Sequence, residues 1–256
     1  MNILDKTEKF YNEFLGEKGI IGQSVKDKNI YYFAVKKTDY PKIIVQSAIH
    51  GREYITAYLT LKLIRNFIKK GKSGTVYFIP IVNPDGVEIS LTKKPLYKAN
   101  ANGVDLNVNF DALWGKGEKN VFNKGDENFV GEFPFSEPET RALRDFTLFV
   151  KPDLTLSFHS KGEEIYFEFL QEDERLIRDF KYAEIVSNCT GYQIKSTPFS
   201  CGGYKDWCIN KLKIPALTIE VGSDELSHPI KRKNLRDIER KNRSVIFSLI
   251  DSFLEK

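Results

Sequence analysis

The sequence predicts an α/β/α sandwich with a mixed, mostly buried central sheet. Three observations lead there. Short β-branched and aromatic runs alternate with longer stretches of helical period along the chain. Several of those runs are apolar at almost every position, as strands covered on both faces must be. A chain of 256 residues, 41% hydrophobic and 29% charged, has the size and composition of one large soluble domain.

The elements follow in order. Residues 6–15, inside "MNILDKTEKFYNEFLGEKG", alternate charge with apolar side chains and hold no uninterrupted apolar core, so they read as an amphipathic helix and not as a signal peptide. Strands are expected at "IYYFAV" (30–35), "KIIVQSAI" (42–49), "TVYFIPIV" (75–82), "DLTLSFHS" (153–160), "EEIYFEF" (163–169) and "ALTIEVG" (216–222). Helices are expected at 53–69, 137–149, 173–188 and, closing the chain, 237–254. Between about 86 and 134 the sequence is rich in Asn, Gly and Lys with little period, a length of loop that inside a compact domain marks function. No repeat, low-complexity tract or linker interrupts the chain, so a single catalytic domain over 1–256 is expected.

Composition removes several classes of partner. The charge balance of 39 basic against 35 acidic residues gives +4, without a basic stripe carrying interleaved aromatics, which argues against nucleic acid. No transmembrane span is read, and no membrane partner is expected. Cys189, Cys201 and Cys208 are an odd set without CxxC spacing, which fits buried, reduced thiols in the cytoplasm better than disulfides or a cysteine zinc site.

The chemistry begins in "SAIHGREYIT" (47–56). His50 and Glu53 stand at the end of an apolar run and the start of a helix, where ligands gather in open α/β sheets. At spacing i, i+3 their side chains can converge. His159 ends another apolar strand, and two imidazoles with one carboxylate are the donor set of a catalytic zinc with an open position. The plainer alternative is two histidines that finish strands and hydrogen-bond locally. Glu220 lies near the end of "PALTIEVG", where a lone acid is costly unless paired or working. An acid there can take a proton from a metal-activated water and pass it to a leaving amine.

"HGRE", "NPDG", "GVDLNVNF", "FHS" and "TIEVG" occur in an order and spacing that resemble the zinc carboxypeptidase family, the carboxypeptidase A type, from about residue 22 to the C-terminus. The resemblance implies a peptidase with one zinc ion per chain, held by His50, Glu53 and His159, with Glu220 as general base. It implies that Asp105 holds His50 in its metal-binding orientation, that Arg52 helps hold the substrate, and that Asn107 binds the substrate's terminal carboxylate. The oxyanion arginine of the family aligns with Lys98 in "LYKANANGVD", a cation without the guanidinium fork.

Where most members read N-R-N, this chain has Val108, which cannot make the paired hydrogen bonds that arginine offers a carboxylate. Either another cation has taken over, or the substrate presents no free carboxylate there. Lys161 and Lys205 are the expected substitutes. "HSKGEEIYF", "GEFPFSEPETRAL" and "GGYKDW" look like the bacterial branch that cleaves γ-D-glutamyl-diaminopimelate bonds in cell-wall peptides, whose released residue would offer such a lysine a carboxylate. The alternatives are an ordinary carboxypeptidase acting on standard peptides and a zinc-containing peptide-binding protein with little turnover. The family's pocket-lid tyrosine has no clear match. "STPFSCGG" puts Pro198 and Phe199 near its position, leaving Tyr204 or Tyr192 as substitutes. His228 lies outside the motifs and is expected to be structural. The short stretch ahead of residue 22 suggests a chain active as written, with no inhibitory segment to remove.

Overall fold

The computed structural model describes residues 1–196 and 200–255. Helix α1 (Ile3–Glu13) begins earlier than periodicity alone places it. The Asn2 side chain accepts the Asp5 N–H, and the Asp5 carboxylate accepts the Asn2 N–H in return. The chain continues through β1 (Glu17–Gln23), β2 (Asn29–Lys36), β3 (Lys42–Ser47), α2 (Ile55–Lys70), β4 (Thr75–Ile79), α3 (Pro84–Thr92) and α4 (Pro138–Val150). It ends with β5 (Leu154–His159), β6 (Glu164–Tyr166), α5 (Asp173–Thr190), β7 (Gln193–Lys195), the single turn α6 (Tyr204–Trp207), β8 (Ala216–Glu220), α7 (Leu235–Asn242) and α8 (Val245–Leu254).

The strands form one sheet in the order β1-β2-β4-β3-β5-β8-β6-β7. Its centre, β4-β3-β5-β8, is parallel, while β1, β2 and β6 each run antiparallel to a neighbour. The expected mixed sheet is therefore present, and its apolar runs have the expected cause. In β3, Ile43 and Val45 join the core shared with α1, α2, α5, α7 and α8, while Ile44 joins the core shared with α4 and α6. All six residues of β5 are buried. Each Ile, Leu or Phe so buried contributes about 1.5–3 kcal/mol against exposure, enough to hold the central strands fixed as a platform.

Four departures from the sequence expectation have physical reasons. Edge strand β1, with two glycines and a bulge between Ile20 and Gly22, shows no alternation to read. Strand β7 is too short to carry a pattern. Helix α3 occupies the start of what reads as a loop. Its signals are local: Pro84 in the first turn, with the Asn83 Oδ1 accepting the Gly86 N–H at 2.8 Å. The closing helix is two helices, α7 and α8, because the Arg243 carbonyl at the break accepts from the Asn66 side chain (3.1 Å) and the buried Asn242 amide donates to the Tyr192 hydroxyl (3.0 Å).

Candidate metal centre

The carboxyl ends of β3, β5 and β8 lie side by side, and the chemistry collects there. Beyond β3, Ala48 sits in the left-handed region (φ 49), its N–H donating to Thr56 Oγ1 (3.0 Å) and its carbonyl accepting the Asn83 N–H (3.1 Å). That turn delivers His50 to the start of a 3-10 turn, Gly51–Glu53, ahead of α2. Gly51 must lack a side chain, because a Cβ there would lie 2.3 Å from the Gly86 carbonyl oxygen of α3. His159 ends β5 and pairs in register with Glu220, which ends β8.

The three donors converge. Glu53 stands between the imidazoles, with Oε1 2.8 Å from His50 Nδ1 and Oε2 3.1 Å from His159 Nδ1. One ligand atom from each lies within 4.8 Å of the others, and all three residues are buried. The far nitrogen of His50, Nε2, is 3.1 Å from Asp105 Oδ1, which turns Nδ1 inward. Burial disfavours an imidazolium at His50, but the Glu53 and Asp105 carboxylates outweigh it and raise its pKa to about 9. Burial likewise opposes the Glu53 charge, yet His50 and His159 hold that carboxyl well below its usual range. A buried pocket that draws positive charge this strongly, with two nitrogens and a carboxylate facing one point, fits a divalent metal with nitrogen and oxygen preference.

Glu220 adds an acid at the same edge. Its Oε2 is buried and has no hydrogen-bond partner among the described residues. Burial, with the like charge of Glu53, pushes its carboxyl well above the usual range. Beside the triad, His50, Asp105, Lys98, Asn107 and Val108 line a cavity of about 380 Å³ together with residues of the 117–120 turn. Asn107 accepts the Tyr204 N–H at 3.2 Å through its side-chain oxygen, and its own N–H donates to Asp105 Oδ1 at 2.9 Å.

The profile described as zinc carboxypeptidase matches residues 2–244. The chain belongs to that family. Zinc is accordingly its cofactor, and the His50–Glu53–His159 donor set fits that ion. This family member is similar to gamma-D-glutamyl-L-diamino acid endopeptidase 1 of Lysinibacillus sphaericus, 29% identical over 229 residues that make up 74% of this chain and 56% of that protein. It thus spans little more than half the length of that relative. It is also similar to murein peptide amidase A of Escherichia coli strain K12, 29% identical over 220 residues, 80% of this chain and 83% of that one. Among solved structures, bovine thrombin-activatable fibrinolysis inhibitor in complex with tick carboxypeptidase inhibitor matches at a TM-score of 0.86 and 21% identity, covering 98% of this chain and 94% of that one, a likeness of fold.

Within this zinc carboxypeptidase-family chain the remaining expected site residues are placed unevenly. Lys98 lines the cavity, but its ammonium is 2.6 Å from Asp105 Oδ2 and donates to Asn128 Oδ1 at 2.7 Å. Arg52 is held at 3.1 Å by Glu127 and does not line the cavity. The two lysines expected to face the released residue do not line the cavity and have other partners. Lys161 donates to the Asp224 carbonyl (2.5 Å) and carboxylate (2.6 Å). Lys205 is buried, donating to the Glu168 carbonyl (2.7 Å) and to Asp206 (2.6 Å). Neither substitute for the lid tyrosine is available. Tyr204 is buried with its hydroxyl 2.9 Å from that of Thr147, and the Tyr192 hydroxyl accepts from Asn242. Pro198 and Phe199 lie outside the described residues. His228 is not among the converging ligand atoms, but its partly buried ring feels the charges of Glu53 and His50, and its Nδ1 has no hydrogen-bond partner among the described residues. Cys201 and Cys208 are buried and Cys189 partly so, all unpaired.

The placement of Lys205 changes what its removal should do. Lys205→Ala leaves the buried Asp206 carboxylate without its cation, so folding stability should drop by about 3–5 kcal/mol, measured by urea denaturation. Unchanged stability with a raised KM would instead put the ammonium on the substrate.

Proposed function

We propose that this chain, as one catalytic domain over residues 1–256, hydrolyses an amide bond in small cell-wall-derived peptides and releases a diamino acid from a γ-D-glutamyl group. The observation that carries the chemistry is the convergence of His50, Glu53 and His159 at one sheet edge with the partnerless Glu220 oxygen in register beside them. The substrate class rests on the two relatives above, whose names state a γ-D-glutamyl-L-diamino acid bond and a murein peptide.

In this reading His50, Glu53 and His159 hold the zinc, and Asp105 keeps the His50 ring turned toward it. When bound, zinc supplies Lewis acidity, polarising the scissile carbonyl and making a water nucleophilic near neutral pH. Glu220 takes the proton that water loses as its oxygen bonds to the carbonyl carbon, then delivers it to the nitrogen as the C–N bond breaks. Lys98, fixed by Asp105 and Asn128, places a positive charge near the developing oxyanion. Asn107 orients the substrate within the cavity. Arg52 reaches substrate only by leaving Glu127, a partly exposed pair that is cheap to break. Among the described residues no helix is long and apolar enough to cross a membrane. The three free thiols support a reducing, cytoplasmic setting.

The test is a panel assay of the zinc-loaded protein on γ-D-glutamyl-meso-diaminopimelate and on a blocked α-peptide ending in phenylalanine, with and without chelator. The cell-wall peptide should be cleaved with a kcat/KM about tenfold higher or more, a margin of roughly 1.4 kcal/mol in transition-state binding, and chelator should abolish it. Preference for the α-peptide, or cleavage that survives chelation, would overturn the reading.

A further inference from the structure

The cavity beside the triad has a wall that the catalytic chemistry does not use. Asn120 donates its N–H to the Gly117 carbonyl at 3.0 Å, and its side-chain oxygen accepts the Gly117 N–H at 2.7 Å. These bonds close a four-residue turn with Glu118 and Lys119 at its centre. A Cβ at Gly117 would lie 2.6 Å from Asn120 Oδ1 and 3.1 Å from the Cys201 nitrogen, so the turn is seated tightly against the cavity's other side. Nearby, Trp114 Nε1 donates to the Val130 carbonyl (3.0 Å), and Val130 N–H donates to Val121 (3.0 Å), tying the segment to the body.

Glu118 and Lys119 both line the cavity. Besides His50, the other charged lining residues are Lys98 and Asp105, which pair at 2.6 Å and already have roles in the catalytic chemistry. Glu118 and Lys119 are in no ion pair among the described residues, with each other or with any neighbour. The cavity therefore presents one uncommitted anion and one uncommitted cation, adjacent in sequence, on a fixed turn. A ligand that answers both carries an ammonium and a carboxylate close together.

We propose that Glu118 and Lys119 form a subsite for the zwitterionic amino-acid head at the side-chain end of the released residue, with Lys119 reading its carboxylate and Glu118 its ammonium. The inference rests on the proposed function and adds the feature of the substrate that is selected. The α-nitrogen of the released residue lies in the scissile amide and carries no charge before cleavage. Within the released residue an ammonium beside a carboxylate is then found only at the far end, in a diamino dicarboxylic acid such as diaminopimelate. The γ-linked glutamyl group keeps an α-ammonium and an α-carboxylate of its own, and a turn that read those would weaken all three test peptides alike. The cavity volume is in the range that holds a small-molecule group of this size. Lysine offers the distal ammonium alone, and 2-aminopimelate the distal carboxylate alone.

The experiment measures kcat/KM of the zinc-loaded protein on three γ-D-glutamyl peptides ending in meso-diaminopimelate, L-lysine or L-2-aminopimelate, for the natural chain, Lys119→Gln and Glu118→Gln. Calorimetric titration with free meso-diaminopimelate gives a readout independent of turnover. The natural chain should prefer the diaminopimelate peptide by about tenfold, the worth of a charge-assisted hydrogen bond. Lys119→Gln should lose about tenfold on the diaminopimelate and aminopimelate peptides, mainly in KM, and nothing on the lysine peptide. Glu118→Gln should lose on the diaminopimelate and lysine peptides and spare the aminopimelate one. Both variants should bind free meso-diaminopimelate more weakly. Equal losses on all three peptides, or none, would overturn the subsite. If the natural chain cleaves all three equally, the proposed function stands and the subsite falls. If it cleaves none, the proposed function falls and takes the subsite with it.

Discussion

Glu220→Gln is expected to keep zinc and the fold while losing at least about 100-fold in turnover, the lower end of what general acid-base catalysis contributes. The geometry explains both halves. Glutamine matches glutamate in shape, so the end of β8 and its register with His159 should survive. Glu220 is absent from the triad whose ligand atoms converge, so metal content should not change. What the amide cannot do is accept a proton from water and hand it on. The buried Oε2 has no structural bond among the described residues for the substitution to break, which separates a chemical defect from a folding one. The check is kcat and KM on the γ-D-glutamyl peptide beside a zinc assay of the same preparation. The loss should fall on kcat, since the carboxylate acts in the transition state and not in ground-state binding. Near-normal turnover would mean that another group activates the water.

The architecture and the triad were both legible in the sequence, for the same reason. His50, His159 and Glu220 each follow or end an apolar run that is buried on both faces, and such strands place their carboxyl ends together in a parallel sheet. What sequence does not carry is the identity of a charge's partner. Lys161 lies two positions from a ligand and Lys205 lies in a pocket motif, yet Asp224, Asp206 and the Glu168 carbonyl claim their ammonium groups. Glu118 and Lys119 were legible only as part of a loop-rich segment, because the cavity that gives them meaning is built from chain far away at His50 and Ser200. Helix α3 is the opposite case, since Asn83 and Pro84 signal its start locally. The break between α7 and α8 again depends on a distant residue, Asn66.

Loss of the metal is the second large effect. His159→Ala removes one of two nitrogen donors, leaving His50 and Glu53 in a site that needs three protein ligands to keep an open fourth position. Zinc measured after dialysis should drop from about one equivalent to less than about a tenth, and turnover should vanish with it. The fold should largely remain, because Phe158 and Ile219 beside it stay buried in the core and β5 keeps its pairing to β3 and β8. Glu53 is the point of strain in that variant. Its Oε2 keeps only the Ser160 N–H, at 3.3 Å, so a modest fall in the unfolding midpoint is expected together with the lost metal. Asp105→Asn provides the graded control. It leaves all three ligands in place but weakens the hold on the His50 ring, and zinc affinity should fall by about 10–100-fold without being abolished. Circular dichroism and metal analysis on the same samples distinguish these outcomes. Full zinc retention in His159→Ala would remove His159 from the ligand set, and with it the convergence on which the whole catalytic reading stands.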